Sequence, residues 1–350
     1  MDNKRKILII FSIILMIIIG VIVVLFFSNK KQSPEETINP KTIPVITVQS
    51  IKVIDEKIFF PSLSKEQKAI FYFGDKGIKS KKYSLEDQKI SEVYPENIYS
   101  LVNTKYSPNF KKVLLPTQKG DKFYYQVFDL EQKKFAILPE KIFDVEWLGD
   151  DKIIYSYNDG EKNSLKVSSW DGKDWQKLSD LDIFDPLLTI SPDNKKIIIY
   201  PQPAGFGKNP LYLYDLATKE IEKISGNEAL VGASWSPNNQ TIITSQVDNY
   251  GNPITLKTID IHSKTKKDIP LKTGIDKVIW LSDNSLFAAE PQKNTSDILY
   301  QIEIDFDKTT QLKYASPQNI KIDAQNLMLT QDNKTLYFTS NNLLYKLAIP

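Results

Sequence analysis

From about residue 45 to the C-terminus, apolar residues fall in runs of 4 to 8, alternating or β-branched, and the runs are separated by Asp, Asn, Gly and Pro. No stretch of 12 or more residues keeps the 3.6-residue period of an amphipathic helix, so the pattern predicts strands and tight turns throughout. The segment Ile190-Ser-Pro-Asp-Asn-Lys-Lys-Ile-Ile-Ile-Tyr200 shows the unit most clearly. Pro192 fixes φ, Asp193 and Asn194 supply Asx hydrogen bonding for a reversal, and Ile197 to Tyr200 suit a pleated, packed surface.

The same hairpin returns along the chain. Its turns read Tyr106-Ser-Pro-Asn-Phe, Trp147-Leu-Gly-Asp-Asp, Trp235-Ser-Pro-Asn-Asn, Trp280-Leu-Ser-Asp-Asn and Leu329-Thr-Gln-Asp-Asn, with a weaker copy at Leu63-Ser-Lys-Glu-Gln. The acidic or amide turn positions are Glu66, Asn109, Asp150, Asp193, Asn238, Asp283 and Asp332, at steps of 43, 41, 43, 45, 45 and 49 residues. A second marker runs in phase with the first. Apolar strands end in Asp129, Asp171, Asp215, Asp260 and Asp305, lying 20, 21, 22, 22 and 22 residues after their turns. Two independent markers holding phase over five units establish an internal repeat.

Each unit has room for four strands in meander order, as in 187–190, 196–200, 210–214 and 220–224. Repeats of this length and content predict an all-β fold, a β-propeller of seven four-stranded blades, with six or eight as the alternatives. The uninterrupted run Ile197-Ile-Ile-Tyr200 fits strands buried on both faces. The seventh unit stops at what its register makes a third strand, and 45–53 has strand composition, so the N-terminal strand is expected to close the last blade from outside.

The motif Trp235-Ser-Pro-Asn-Asn-Gln-Thr-Ile-Ile, with its sisters at Ser191-Pro-Asp-Asn and Ser107-Pro-Asn, resembles the WD40-like propeller repeat of TolB-type bacterial envelope proteins. The resemblance covers about 45–350 and implies the propeller fold; the repeat is structural and implies no activity. This chain departs from the family pattern in carrying Asn where the family carries Gly.

Ahead of the propeller, Ile7 to Phe27 is a run of 21 residues without charge, enough at about 1.5 Å per residue to cross a bilayer core. It is too long for a typical signal-peptide core and no small-x-small cleavage site follows, so it reads as a transmembrane signal anchor, with a cleaved signal peptide as the competing reading. Lys4, Arg5 and Lys6 place residues 1–6 in the cytoplasm and the body outside it. Residues 28–44, with Pro34, Pro40 and Pro44, form a stalk, and 45–350 the propeller. The expected product is a single-pass, membrane-anchored protein whose propeller is extracytoplasmic, in the periplasm or at the cell surface.

Composition narrows the chemistry. The net charge is +2, yet Arg5 is the only arginine, His262 the only histidine, and there is no cysteine. Disulfides, thiolate nucleophiles, Cys-ligated metals, arginine clamps and multi-histidine metal sites are thereby excluded. The absence of a basic tract argues against nucleic-acid binding. Gly205-Phe-Gly-Lys208 lacks the remaining features of a phosphate loop, and Trp170-Asp-Gly-Lys-Asp-Trp175 reads as a hairpin turn between two packed indoles. His262 reads as a solvated turn residue and the repeated Asp and Asn as turn formers, so no catalytic residue, metal site or cofactor is assigned.

What distinguishes this chain should lie where its repeats differ. The loops between second and third strands vary in length, at 158–163, 201–209, 246–252 and 290–297, on the face opposite the Ser-Pro-Asp turns. Tyr157, Asp159, Phe206, Lys208, Asp248 and Tyr250 are the candidate binding residues there. The expected function is a monomeric, non-enzymatic scaffold for assembly in the cell envelope, binding an envelope or surface protein or a glycan. The alternative is a propeller enzyme, a glycan or lactone hydrolase using carboxylates at the channel mouth, with or without calcium.

Overall fold

Three consecutive isoleucines, Ile197, Ile198 and Ile199, are fully buried, and strand alternation decides what each one touches. Ile197 and Ile199 join Ile154 and Leu165 of the preceding repeat, whereas Ile198 and Tyr200 join Trp235, Ile242 and Ile259 of the following one. A sheet buried on both faces by its two neighbours in sequence is the packing of a propeller blade. The computed structural model describes residues 45–94, 96–202, 208–226, 228–304, 308–315 and 321–349. The expected span 7–27 and Phe206 lie outside the described residues.

Among the described residues the strands form seven four-stranded antiparallel blades, with two short 3-10 turns as the helical content. Blades one to six occupy 59–92, 105–137, 142–181, 186–223, 230–269 and 278–315. Blade seven consists of Gln325–Leu329, Thr335–Ser340 and Leu343–Ala348, completed by Val45–Lys52 from the start of the propeller. The expected closure is therefore present: Ser50, Ile51 and Lys52 pair antiparallel with Leu347, Lys346 and Tyr345. The same strand does more than was expected of it. Its first half, Val45 to Gln49, pairs in parallel with Gln311 to Ala315 at the outer edge of blade six, so blades six and seven become one eight-stranded sheet. Immediately beyond it, Glu56 accepts hydrogen bonds from the Tyr72 hydroxyl and from Lys81 Nζ, the latter at 2.6 Å, and so ties the closing segment to blade one.

The repeated residues turn out to be linkers as much as turn formers. In four blades the turn Ser or Thr hydroxyl donates to the Asp or Asn two residues on: Ser107 to Asn109, Ser191 to Asp193, Ser236 to Asn238, and Thr330 to Asp332. The same hydroxyl accepts an N–H from across the turn, as from Lys196 and Thr241. Asn194, Asn239 and Asn333 adopt left-handed φ values of 58°, 64° and 58°. Gly would adopt this conformation more easily, but each of these Asn side chains also reaches the preceding blade. Asn194 Oδ1 accepts from Gly149 N–H at 3.3 Å, Asn239 Oδ1 accepts from Asp193 N–H at 3.0 Å, and Asn333 Nδ2 donates to Leu281 O at 3.1 Å. That second task gives Asn a use at this position that Gly would not have.

Indoles repeat the device one strand further in. Trp147 Nε1 donates to Lys105 O, Trp235 Nε1 to Thr189 O and Trp280 Nε1 to Ser234 O, each a carbonyl on the inner strand of the blade before. Asn239→Gly is expected to preserve the turn's φ and lose only the inter-blade bond, costing about 1 kcal/mol. Urea unfolding should show a lower midpoint at an unchanged slope, and an unchanged midpoint would leave the Asn without its proposed reason.

Candidate active site at the turn end of the inner strands

The inner strand of blade three, Ile142–Trp147, is irregular where it matters. Its pairing with the next strand shifts register between Ile142 and Asp144, and Asp144 N–H is held instead by Ser156 Oγ at 3.0 Å. A bulge of this kind re-aims the side chains that follow it. Asp144 and Glu146, two residues apart and so on one face of the strand, both turn toward Lys105 on the inner strand of blade two.

Lys105 Nζ lies 2.6 Å from Glu146 Oε1, 3.3 Å from Asp144 Oδ1 and 3.0 Å from Val145 O, which uses all three donors of the ammonium. The other oxygen of Asp144 accepts Leu188 N–H of blade four at 2.8 Å. One ion cluster thus touches three blades. Burial favours the neutral form of Lys105, but the charges of Asp144 and Glu146 outweigh it, and the ammonium persists above the usual lysine range. Burial pushes Glu146 up, Lys105 opposes that, and the Asp144 charge adds to it, leaving its carboxyl above the ordinary glutamate range. Tyr200, close to both carboxylates, is pushed up to about 12, mainly by burial.

Lys105 and Glu146 open into a cavity of ≈ 510 Å³ formed where the inner strands and Ser-Pro turns of blades two to five converge. Its walls include Phe110, Trp147, Pro192 and Trp235, and Lys105 and Glu146 are the charged residues lining it. The volume suits a small ligand. The lysine and glutamate side chains keep 25% and 22% of their surface, so both are reachable, whereas Asp144 keeps 14% and stands behind them. Among the described residues no group of three or more His, Asp or Glu is placed to hold a metal ion.

The candidates taken from the sequence lie elsewhere. Tyr157 is the penultimate residue of the second strand of blade three, its ring centroid 3.6 Å from Lys166 Nζ. Asp159 Oδ1 accepts the N–H groups of Glu161 and Lys162, bonds that hold its carboxyl below the usual range. Asp248 does the same for Tyr250 and Asn252, and the Asn252 amide bond is the first cause of its lowered pKa. Tyr250 is 83% exposed and Lys208 is exposed. These residues belong to blades three, four and five, and the two aspartates shape their own loops.

Two other expectations are resolved here. His262 is an exposed turn residue whose N–H bonds Asp260. Of the paired indoles in the 170–175 hairpin only Trp170 packs against the core between blades two and three, while Trp175 is 60% exposed, its ring 4.5 Å from Lys166 Nζ.

Sequence reasoning missed Lys105, Asp144 and Glu146. The available signal was positional: where blade three has Glu146 ahead of its turn tryptophan, blade five has Ser234, and blade four has Thr189 ahead of the corresponding Ile190.

No protein-family model matches the chain, and no curated protein matches it. The resemblance to TolB-type repeats therefore stands at the level of the propeller. Solved structures with this fold include Kuenenia stuttgartiensis hydrazine synthase, at TM-score 0.58 and 13% identity over 85% of this chain and 97% of that one. A prolyl endopeptidase aligns at TM-score 0.59 and 13% identity over 83% of this chain, which spans 45% of the endopeptidase. An oligogalacturonate lyase in complex with manganese aligns at TM-score 0.51 and 13% identity over 84% and 78% of the two chains. At these identities the likeness is one of fold. The expectation of a non-enzymatic chain is corrected to this extent: the solved structures that share its fold include a hydrazine synthase, a prolyl endopeptidase and an oligogalacturonate lyase. Among the described residues no helix is long and apolar enough to cross a membrane.

Proposed function

We propose that the cavity at the turn end of the inner strands is the active site of a hydrolase acting on a glycan or a lactone, with Glu146 as the group that moves the proton. The observation that carries this reading is a reachable carboxyl, displaced above its ordinary range, lining a cavity of ligand size beside a lysine. Protonated Glu146 donates to the leaving oxygen as the C–O bond breaks. The oxygen of a water forms the new bond to carbon, and the proton released by that water returns to the carboxylate, so the residue ends as it began. Asp144, set back and bonded through both oxygens, holds Lys105 in place and is a positioning residue.

The solved lyase and endopeptidase support the reading only in that enzymes carry this fold. The membrane tether belongs to the same proposal: residues 7–27 would anchor the propeller and present the cavity outside the cytoplasm.

Glu146→Gln keeps the shape of the side chain and removes the transferable proton. Turnover of glycosides or lactones by the full chain should fall at least about 100-fold in this variant while thermal unfolding stays close to wild type. Wild-type turnover in the variant, or no cleavage of either substrate class by the unaltered protein, would overturn the assignment.

A further inference from the structure

We infer that the substrate of this cavity carries an anionic group, that Lys105 is the residue that selects for it, and that Glu146 takes up a proton as the anion binds. The inference rests on the proposed active site and adds the charge of its substrate.

Lys105 is the cation among the residues lining the cavity, and its three donors are already committed to Glu146, Asp144 and Val145 O. A neutral ligand that engages this ammonium must break one of those bonds and offers only a weaker acceptor in return. A carboxylate on the ligand replaces Glu146 with a like charge, so the exchange is nearly balanced for the lysine. The bonds that remain fix which partner yields. Asp144 is held from the far side by Leu188 N–H and is the less exposed of the two carboxylates, whereas Glu146 lines the cavity itself. Glu146 is therefore the group displaced.

Once displaced, Glu146 has lost its cation and still faces the Asp144 carboxylate, with the incoming anion beside it. Tyr125 and Tyr106 of blade two and Tyr200 of blade four are titratable groups near this cluster among the described residues, and burial keeps their hydroxyls neutral through the physiological range. None of them compensates the negative charge. A proton on Glu146 does, and that proton is the one the proposed reaction delivers to the leaving oxygen. Substrate binding would thus load the acid, and an uncharged analogue would bind without loading it.

Calorimetric titration of the full chain with methyl glucuronide and, separately, methyl glucoside tests this. In buffers of different ionisation enthalpy the uronide should bind with uptake of up to about one proton between about pH 5 and pH 8. The neutral glucoside should bind at least about tenfold more weakly and with no linked proton. Glu146→Gln should keep uronide binding and abolish the proton uptake. Lys105→Met should abolish the preference for the uronide, and Lys105→Arg should restore it if the charge is what matters. The wild-type proton count needs no variant to fold. Equal binding of the two sugars, no uronide binding, or uronide binding without proton uptake would each overturn the inference. The role of Glu146 as proton carrier is judged separately, by turnover of uronides in Glu146→Gln, which should still bind them.

Discussion

Deleting residues 1–52 is expected to lower the thermal midpoint by about 10 °C or more and to make the protein aggregate. The reason is the double pairing of Val45–Lys52. Its loss strips Leu343–Ala348 of its outer partner and exposes the outer edge of Lys308–Ala315 in the same step, leaving two bare strand edges side by side. It also removes the buried Ser50 and leaves Leu344 O without the adjoining segment in register, because Val53 N–H donates to it from the end of that strand. Deleting only 1–44 leaves both pairings intact and is the control. Scanning calorimetry and size-exclusion chromatography of the two truncations decide the matter. A 53–350 chain that melts with its control and elutes as a monomer would show that three-stranded closure suffices.

The repeat was legible because its signals are local. Proline at the turn, an Asx side chain after it and an apolar run beyond act through residues adjacent in sequence, so Ser191 to Tyr200 could be read as a hairpin, and its sisters counted as blades. Closure was legible because the last repeat was one strand short. The parallel pairing of Val45–Gln49 was not, since two strand edges meeting from different blades leave no mark on either strand. The charge cluster at Lys105 left no mark for a related reason. Asp144-Val-Glu146 looks like any alternating strand, and only the bulge after Ile142 and the placement of blade two beside blade three bring Lys105 onto both carboxylates. The loops holding Asp159 and Asp248 vary in length, yet both aspartates are taken up in Asx bonds to their own loops' N–H groups. Under the proposed function, the informative difference between the copies is two carboxylates inside a strand.

A second charge cluster carries the other large effect. Lys277, at the entry to the inner strand of blade six, donates to Asp297 at 2.7 Å and also to Asp323 at the entry to blade seven. Asp297 is almost wholly buried and its Oδ2 takes Ala324 N–H at 3.0 Å as well, so the lysine is the counter-ion that lets this carboxylate sit inside the ring. Burial pulls Lys277 down, and the hydrogen bonds and charges of the two aspartates outweigh it, leaving its pKa above the usual lysine value. The group is raised in the folded state, so its contribution is fully present below the unfolded lysine pKa and is lost only as pH rises through the still higher folded value. Across the neutral range it is constant. Lys277→Met removes the cation while the carboxylates remain, and is expected to cost about 3 kcal/mol at neutral pH, the lower end of the usual range because Asp323 keeps nearly half its exposure. Urea unfolding of both proteins at neutral pH measures the loss, and a midpoint unchanged from wild type would show that the pairing carries no stability. Replacing Asp297 by Leu alongside Lys277→Met should recover part of the loss, because an apolar pair in a buried site lacks the unpaired charge that makes the single change expensive.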